Sequence, residues 1–319
     1  VTANTDRPIL CDIPDNPVPP GARAGYFQTE DGVRLRYGRF ARTGDEHRGT
    51  VCLVQGRTEF IEKYFETITD FQKRGFAVAT FDLRGQGGSD RLIGNGRLGH
   101  VDQFEDYWID LKSFHSRILL PDCPPPYYLV GHSTGGLVSL LAAARDRLMF
   151  DRVFVTSPMI GLPGLPFSPR ACLVILNALR FVGLSGIPLQ RRVDATQRFE
   201  TNVITHDAKR FARMMAVLAS RPDLGVGAPT IGWVSAALSG ITTAQSVSFP
   251  SRLQIPTFIA AAGNDRVVST AATEQLALRM RTGHHVVLAG AHHELFMETD
   301  MVRNQVFAAF DAFVTDQTR

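Results

Sequence analysis

Unbroken apolar runs alternate with stretches of helical spacing along most of this chain, and the alternation fails only once. Residues 26–30 and 33–40 flank Asp31-Gly32, a hairpin signal. Residues 50–54 form a continuous apolar strand, and over 60–73 Ile61, Tyr64, Phe65, Ile68 and Phe71 fall on one helix face. A strand at 76–81 ends in Asp82-Leu83-Arg84-Gly85. A helix is expected over 101–120, ended by Pro121 and the cluster Pro124-Pro125-Pro126. A strand at 127–130, a helix at 137–144 and a strand at 152–156 follow. The pattern resumes late, with a strand at 255–262, a helix at 270–281, a strand at 286–289 and a last helix presenting Val306, Phe307, Phe310 and Phe313.

Apolar strands alternating with amphipathic helices imply an α/β architecture, a mostly parallel sheet covered on both faces. Between Ser157 and Pro250 the alternation disappears, leaving short helical runs punctuated by Pro163, Pro166, Pro169, Pro188, Pro222 and Pro229. An irregular insert between two halves of one sheet is expected to cover the carboxyl edge, where sites form in such sheets. The expected organisation is an extended leader over 1–25, a first core half over 26–157, a helical cap over 158–250 after the sixth strand, and a second core half over 251–319. The leader assignment follows from Pro8, Pro14, Pro17, Pro19 and Pro20, which forbid helix.

Bulk properties change this picture little. A net charge of +3 with dispersed arginines argues against nucleic acid as a partner and leaves transient contact with an anionic membrane surface open. The cysteines Cys11, Cys52, Cys123 and Cys172 show no paired spacing, and Cys52 reads as a free buried thiol. The greasiest stretch, 171–187, contains Asn177 and Arg180 and fits an amphipathic helix better than a membrane span, and residues 1–7 carry no apolar signal region. The expected location is the cytoplasm, with peripheral contact to the inner membrane as a further option.

The candidate chemistry centres on Gly131-His132-Ser133-Thr134-Gly135, set between the strand at 127–130 and the helix at 137–144. In that context G-x-S-x-G is a nucleophile elbow. A tight turn projects the serine hydroxyl clear of both elements, and glycines two residues to either side let helix and strand approach. Serine needs a base to take its proton, and the base needs a carboxylate to fix its tautomer. The chain order with this elbow is serine, acid, histidine. Asp265 follows the strand at 255–262 in Gly263-Asn264-Asp265, whereas the other edge position holds Ser157-Pro158 and no carboxylate. After the strand at 286–289, Gly290-Ala291-His292-His293-Glu294 offers two candidate bases, His292 and His293. His284 and His285 precede that strand and are expected at the surface. No ligand spacing supports a metal, and no cofactor is expected.

With Gly56-Arg57-Thr58-Glu59, Lys63-Tyr64 and the run from Asp82 to Ser89, these residues resemble the α/β-hydrolase superfamily. The likeness runs from about Tyr26 to the C-terminus and is narrower to its bacterial lysophospholipase and monoacylglycerol-lipase branch. The resemblance implies the α/β-hydrolase fold and a His-Glu pair at the base, which selects His293. It also implies oxyanion donors at the backbone N–H groups of Thr134 and Arg57. One position departs: many relatives carry His-Gly before that donor, and here Gln55 precedes Gly56.

The expected activity is hydrolysis of a carboxylic ester, most of all of a single-acyl lipid. The apolar residues of the insert (Leu162, Leu165, Phe167, Leu173 to Leu176, Phe181) are expected to receive the acyl chain. Acyl transfer or thioester cleavage by the same triad, and a ligand-binding fold without turnover, are the other readings. Arg57 is a candidate for an anionic head group or for a brace to Glu59, and Arg191 and Arg192 are candidates for phosphate attraction. Trp233 reads as cap core or tunnel lining, and His132 as packed within the elbow. Gly94-Asn95-Gly96-Arg97-Leu98-Gly99 is a formal G-x-G-x-x-G without the preceding strand that a dinucleotide site requires.

Overall fold

The computed structural model describes residues 8–94, 96–189 and 198–315. Its strands are β1 (Ala22–Gln28), β2 (Arg34–Phe40), β3 (Thr50–Val54), β4 (Ala77–Phe81), β5 (Tyr127–His132), β6 (Arg152–Thr156), β7 (Thr257–Ala262) and β8 (Gly283–Leu288). They form one sheet in the order β1-β2-β4-β3-β5-β6-β7-β8. β2 pairs antiparallel with β1 and with β4, and every pairing from β4 to β8 is parallel. The helices are α1 (Phe65–Lys73), α2 (Asp106–Phe114), the single turn α3 (Leu120–Asp122), α4 (Thr134–Arg145), α5 (Pro169–Phe181), α6 (Ala208–Ser220), α7 (Ile231–Ala244), α8 (Phe249–Arg252), α9 (Thr270–Ala277) and α10 (Asp300–Thr315). This is the α/β-hydrolase fold expected from the sequence, with helices α5–α8 inserted after the sixth strand.

Alternation along the strands divides the core into two layers. Val51, Leu53, Val130 and Phe154 point to one side, where α1 and α10 contribute Phe65, Ile68, Phe71, Val306, Phe307 and Phe310. The Phe71 ring lies 5.0 Å from that of Phe310, and the Phe154 ring 5.4 Å from it. Cys52, Val54, Leu129 and Val155 point to the other side, against Leu111 and Phe114 of α2 and Leu137 and Leu140 of α4. Because both faces are covered, the parallel strands read as continuous apolar runs.

Several boundaries differ from the sequence reading for identifiable reasons. β1 begins at Ala22, before the expected residue 26, because Ala22 to Gly25 pair with Phe40 to Tyr37 although their own pattern is irregular. The helix expected over 101–120 begins at Asp106. Its end widens into a π turn at His115–Leu119, where the Leu120 N–H bonds to the His115 carbonyl. Pro121 then lies within α3, where its missing N–H costs nothing. β8 starts at Gly283, so His284 and His285 lie in the strand and not before it; both are exposed on this edge strand.

The helix α5 departs from expectation more consequentially. Cys172 and Leu176 are its buried residues, and α5 packs on α7. The opposite face therefore looks outward: Phe181 is 92% exposed, Val174 70% and Phe167 59%. Phe167 and Phe181 thus do not line an interior acyl channel, whereas Leu162, Leu165 and Leu173 are partly buried against the core.

A buried charge cluster fixes the N-terminal half. Arg36 on β2 donates to Asp82 Oδ2 at 2.6 Å and to both Glu62 oxygens at 2.7 and 2.8 Å, and the three side chains are fully buried. Asp82 also accepts from the N–H groups of Ile61 and Gly88, and Glu62 from that of Cys11. The leader is tied down here too, through the Ile9 carbonyl and Asn16 Nδ2. Removing the cation would strand two buried carboxylates. Arg36→Met should lower stability by about 3–5 kcal/mol, measured by urea denaturation; a loss under about 1 kcal/mol would show that the cluster relaxes into water.

Candidate active site

Ser133 stands between the last residue of β5 and the first of α4, with φ 52° and ψ −115°. A left-handed φ at a non-glycine residue is strained and persists only where its surroundings over-determine it. The neighbouring glycines supply that constraint. A Cβ on Gly135 would overlap the carbonyl oxygens of Val54 and Gln55, and one on Gly131 would overlap Ser139 Oγ. The Ser133 N–H donates to the Thr156 carbonyl of β6 at 3.0 Å, so neighbouring strands grip the turn.

Ser133 Oγ lies 2.9 Å from His293 Nε2, and His293 Nδ1 lies 2.7 Å from Asp265 Oδ2. With Nδ1 donating to the carboxylate, Nε2 is left to accept from the serine hydroxyl. Asp265 Oδ1 is held by the N–H groups of Val267 and Val268 at 2.8 and 2.9 Å. Burial works against the Asp265 charge, but these donors and His293 outweigh it and keep the carboxyl below its ordinary value. His292 points elsewhere. Its N–H donates to Glu298 Oε1 at 2.8 Å, and its ring stacks on His206 at 3.7 Å. Of the two adjacent histidines, His293 is the one brought to Ser133.

The loop after β3 closes over the serine. A Cβ on Gly56 would stand 3.1 Å from Ser133 Cβ, so the loop backbone runs directly against the nucleophile. Among the described residues, neither the Arg57 N–H nor the Thr134 N–H has a hydrogen-bond acceptor. Thr134 opens α4, where N–H groups are unsatisfied by the helix itself. Gln86, from the loop after β4, holds the arrangement by donating to the Gly56 carbonyl at 2.7 Å and accepting from the Thr58 N–H at 3.3 Å. Thr58, in the loop after β3, has φ 65° and is a second strained non-glycine residue close to the nucleophile. Gln55, at the departure from the family pattern, is buried and turns to Thr80 Oγ1 at 3.4 Å.

The brace expected between Arg57 and Glu59 is absent among the described residues; Glu59 is engaged by other partners. Its carboxylate accepts from the Gly56 N–H, from Tyr64 Oη at 2.6 Å and from Lys63 Nζ at 2.5 Å. Lys63 Nζ also lies 2.5 Å from Glu294 Oε2, the residue after His293. One buried ammonium thus joins the loop carrying Gly56 to the loop carrying His293. Burial raises a carboxyl pKa, but the Lys63 ammonium and the Tyr64 hydroxyl outweigh it at Glu59 and hold it below its ordinary value. At Glu294 burial prevails over Lys63 and pushes the carboxyl up to about 7. His132 is bonded through Nδ1 to Thr156 Oγ1 at 3.0 Å, and burial takes it down to about 3, so it is neutral. Glu59, His132 and Glu294 bring ligand-type atoms within 4.8 Å of one another, with the Lys63 ammonium already in contact with both carboxylates. The pairing role of Lys63 escaped the sequence reading. The available signal was a lysine and two glutamates at positions otherwise surrounded by apolar residues.

The other sequence candidates separate cleanly. Trp233 is buried and donates through Nε1 to Tyr107 Oη at 3.0 Å. Gly99, at the end of the G-x-G-x-x-G run, exchanges backbone hydrogen bonds with Ala228 and Thr230 of the insert. Asn95, within that run, and Arg191 and Arg192 lie outside the described residues.

Comparison with known proteins shows the family to which the chain belongs. The chain is 32% identical over 297 residues to Lysophospholipase L2 of Escherichia coli K12, covering 90% of this chain and 86% of that one. It is 26% identical to Phospholipase YtpA of Bacillus subtilis, covering 86% and 97%. Two solved structures share the fold. A soluble variant of monoglyceride lipase from Saccharomyces cerevisiae, in complex with a substrate analog, has a TM-score of 0.73 at 20% identity over 93% of this chain and 95% of that one. The monoacylglycerol lipase of Paleococcus ferrophilus has a TM-score of 0.69 at 19% identity over 88% and 98%. The family described as serine aminopeptidase, S33 matches residues 45–300. With that match across most of its length, this chain belongs to the serine aminopeptidase S33 family of α/β hydrolases.

Proposed function

We propose that the protein is a serine hydrolase of carboxylic esters acting on single-acyl lipids, a lysophospholipid or a monoacylglycerol. The observation that carries this reading is the hydrogen-bonded chain from Ser133 through His293 to Asp265 at the carboxyl edge of the sheet. Ser133 Oγ attacks the ester carbonyl while His293 Nε2 takes its proton, and the imidazolium returns that proton to the leaving alcohol. Asp265 holds the tautomer and stabilises the cation. The N–H groups of Thr134 and Arg57 receive the oxyanion, and water bound in place of the alcohol is activated by His293 to release the acid.

The family description names an aminopeptidase, which would need a carboxylate free to receive a substrate ammonium. The two buried glutamates beside the elbow, Glu59 and Glu294, both lie against Lys63 instead. Relatives matched over most of their length are a lysophospholipase and a phospholipase. Both considerations favour an ester.

The insert over 158–250 serves as the cap in this reading. The exposed stripe of α5 and its flanks, with Phe167, Val174, Ile175, Phe181 and Val182, is the surface that meets a lipid bilayer. Between Asp151 and Asp194 the sequence carries arginines and no carboxylate, which suits an anionic surface. No helix among the described residues is long and apolar enough to cross a membrane, so such contact is peripheral.

These proposals have direct tests. Ser133→Ala should lower kcat on the order of 10⁴- to 10⁶-fold in a folded protein, and a fluorophosphonate probe should label Ser133. His293→Ala should be comparably severe, whereas His292→Ala should cost about tenfold or less; a reversal would remove His293 from the role of base. Each methylene buried in an acyl pocket contributes about 0.8 kcal/mol, so kcat/KM should rise from p-nitrophenyl acetate to long single-acyl lipids. It should fall again for a diacyl lipid, which needs a second channel; diacyl phosphatidylcholine cleaved faster than its lyso form would defeat the substrate class. Phe181→Asp should weaken flotation with phosphatidylglycerol-containing vesicles by about tenfold. Flotation equal to wild type would remove α5 from the docking surface.

A further inference from the structure

The side chain of Arg57 leaves the loop over Ser133 and enters the insert. Its Nη2 donates to the Gly227 carbonyl, its guanidinium carbon stands 5.0 Å from the centre of the Trp233 ring, and its Nε is buried without an acceptor. No carboxylate pairs with it among the described residues. Three other enclosed arginines of the core are paired with acids: Arg36 holds Asp82 and Glu62, Arg84 holds Asp31 and Asp110, and Arg303 holds Asp70. Glu59, the nearest acid in sequence, is committed to Lys63, Tyr64 and the Gly56 N–H. Enclosure without a counter-charge takes the guanidinium down to about 10. A cation held in this way is costly unless an anion arrives to meet it.

We propose that the Arg57 guanidinium is the receptor for the phosphodiester of a lysophospholipid whose ester carbonyl lies at Ser133. The inference rests on the ester-hydrolase reading and names the substrate class more narrowly. The same residue supplies both contacts, with its backbone N–H at the oxyanion and its side chain at the phosphate. From the Arg57 amide nitrogen to its guanidinium carbon the path crosses as many covalent bonds as from the carbonyl carbon of a lysophospholipid, through glycerol, to its phosphorus. A guanidinium fork suits phosphate oxygens, and the buried Nε is a donor still unused. Tyr107 adds a second donor beside it: its oxygen accepts from Trp233 Nε1 at 3.0 Å, which leaves its own proton to give. Gly99 lies directly against the guanidinium, since a Cβ there would stand 3.1 Å from Arg57 Nη2. A monoacylglycerol presents a neutral hydroxyl at the same distance and leaves the cation unpaired, so Arg57 sets the choice between the two lipids.

Binding can be measured without turnover. The whole protein and its Arg57→Met and Arg57→Lys variants are titrated calorimetrically with 1-O-decylglycero-3-phosphocholine and with 1-O-decylglycerol, below micelle-forming concentrations. Neither ligand contains a carboxylic ester, so the result stands whether or not the protein hydrolyses lysophospholipids; a failure of hydrolysis alone would strike the ester reading and not this one. Wild-type protein should prefer the phosphocholine. Arg57→Met should weaken that ligand by about 10- to 100-fold, as loss of charge-assisted hydrogen bonds does, and shift decylglycerol by less than about threefold. Arg57→Lys, which keeps the charge, should retain part of the preference and covers the case of a Met variant that does not fold. Equal weakening of both ligands, or no preference in the wild-type protein, would overturn the assignment.

Discussion

The backbone at Ser133 is bent into a left-handed conformation that an L-residue avoids, and much of the surrounding molecule exists to keep it there. β5 must end where α4 begins, and α4 must lie close enough for Gly135 to touch the carbonyls at the end of β3. That contact works only if β3 and β5 are parallel neighbours in register, as their pairing from Thr50 with Tyr127 to Val54 with Gly131 provides. The same register delivers the ends of β3, β5 and β7 to one edge, with the loop bearing His293 beginning just past β8. The serine, the loop carrying Gly56, Asp265 and His293 meet because parallel strands end together.

Loops at that edge have little secondary structure of their own to hold them, and buried charge does the work instead. Lys63 bridges Glu59 and Glu294, so the loop against the serine and the loop bearing its histidine partner share one ammonium. A layer further in, Arg36 joins Glu62 and Asp82 and fixes the turn that presents Glu59. Such ion pairs are poor sources of net stability, because desolvation consumes most of the Coulombic gain. Their effect here is geometric. Each carboxylate has its donors in place, leaving few alternative arrangements for the donors and acceptors around Ser133.

The insert completes the proposed site from above with two chemically different surfaces. Outward, α5 shows an apolar stripe in an acid-free stretch of sequence. Inward, Trp233, Tyr107 and Arg57 form a polar and aromatic corner over the loop at Gly56. A lipid leaving a bilayer would meet the first surface with its membrane and the second with its head group. In that reading one irregular segment serves both delivery and selection, and the chemistry beneath it stays the same.

By itself the sequence determined the parallel sheet, the elbow at Ser133 and the position of Asp265, because each depends on short-range pattern. Apolar runs flanked by helical spacing leave few alternatives to a covered parallel sheet, and a serine between glycines at a strand-to-helix junction has few other uses. The residues' own pattern left His292 and His293 open, and only the family resemblance, through the His-Glu pair, selected His293. They are adjacent and identical, and only the docking of Glu298 and His206 against one of them turns the other toward Ser133. The same holds for Arg57 and Glu59. Their spacing suggests a pair, but Lys63, four residues beyond Glu59, and Glu294, over two hundred residues away, claim the carboxylate side and leave the guanidinium to the insert. The outward face of α5 was likewise invisible, since its apolar residues surround the helix and only its packing on α7 decides which are buried. Pattern along the chain specifies which elements form; partners far apart in sequence decide where each charge and each ring finally points.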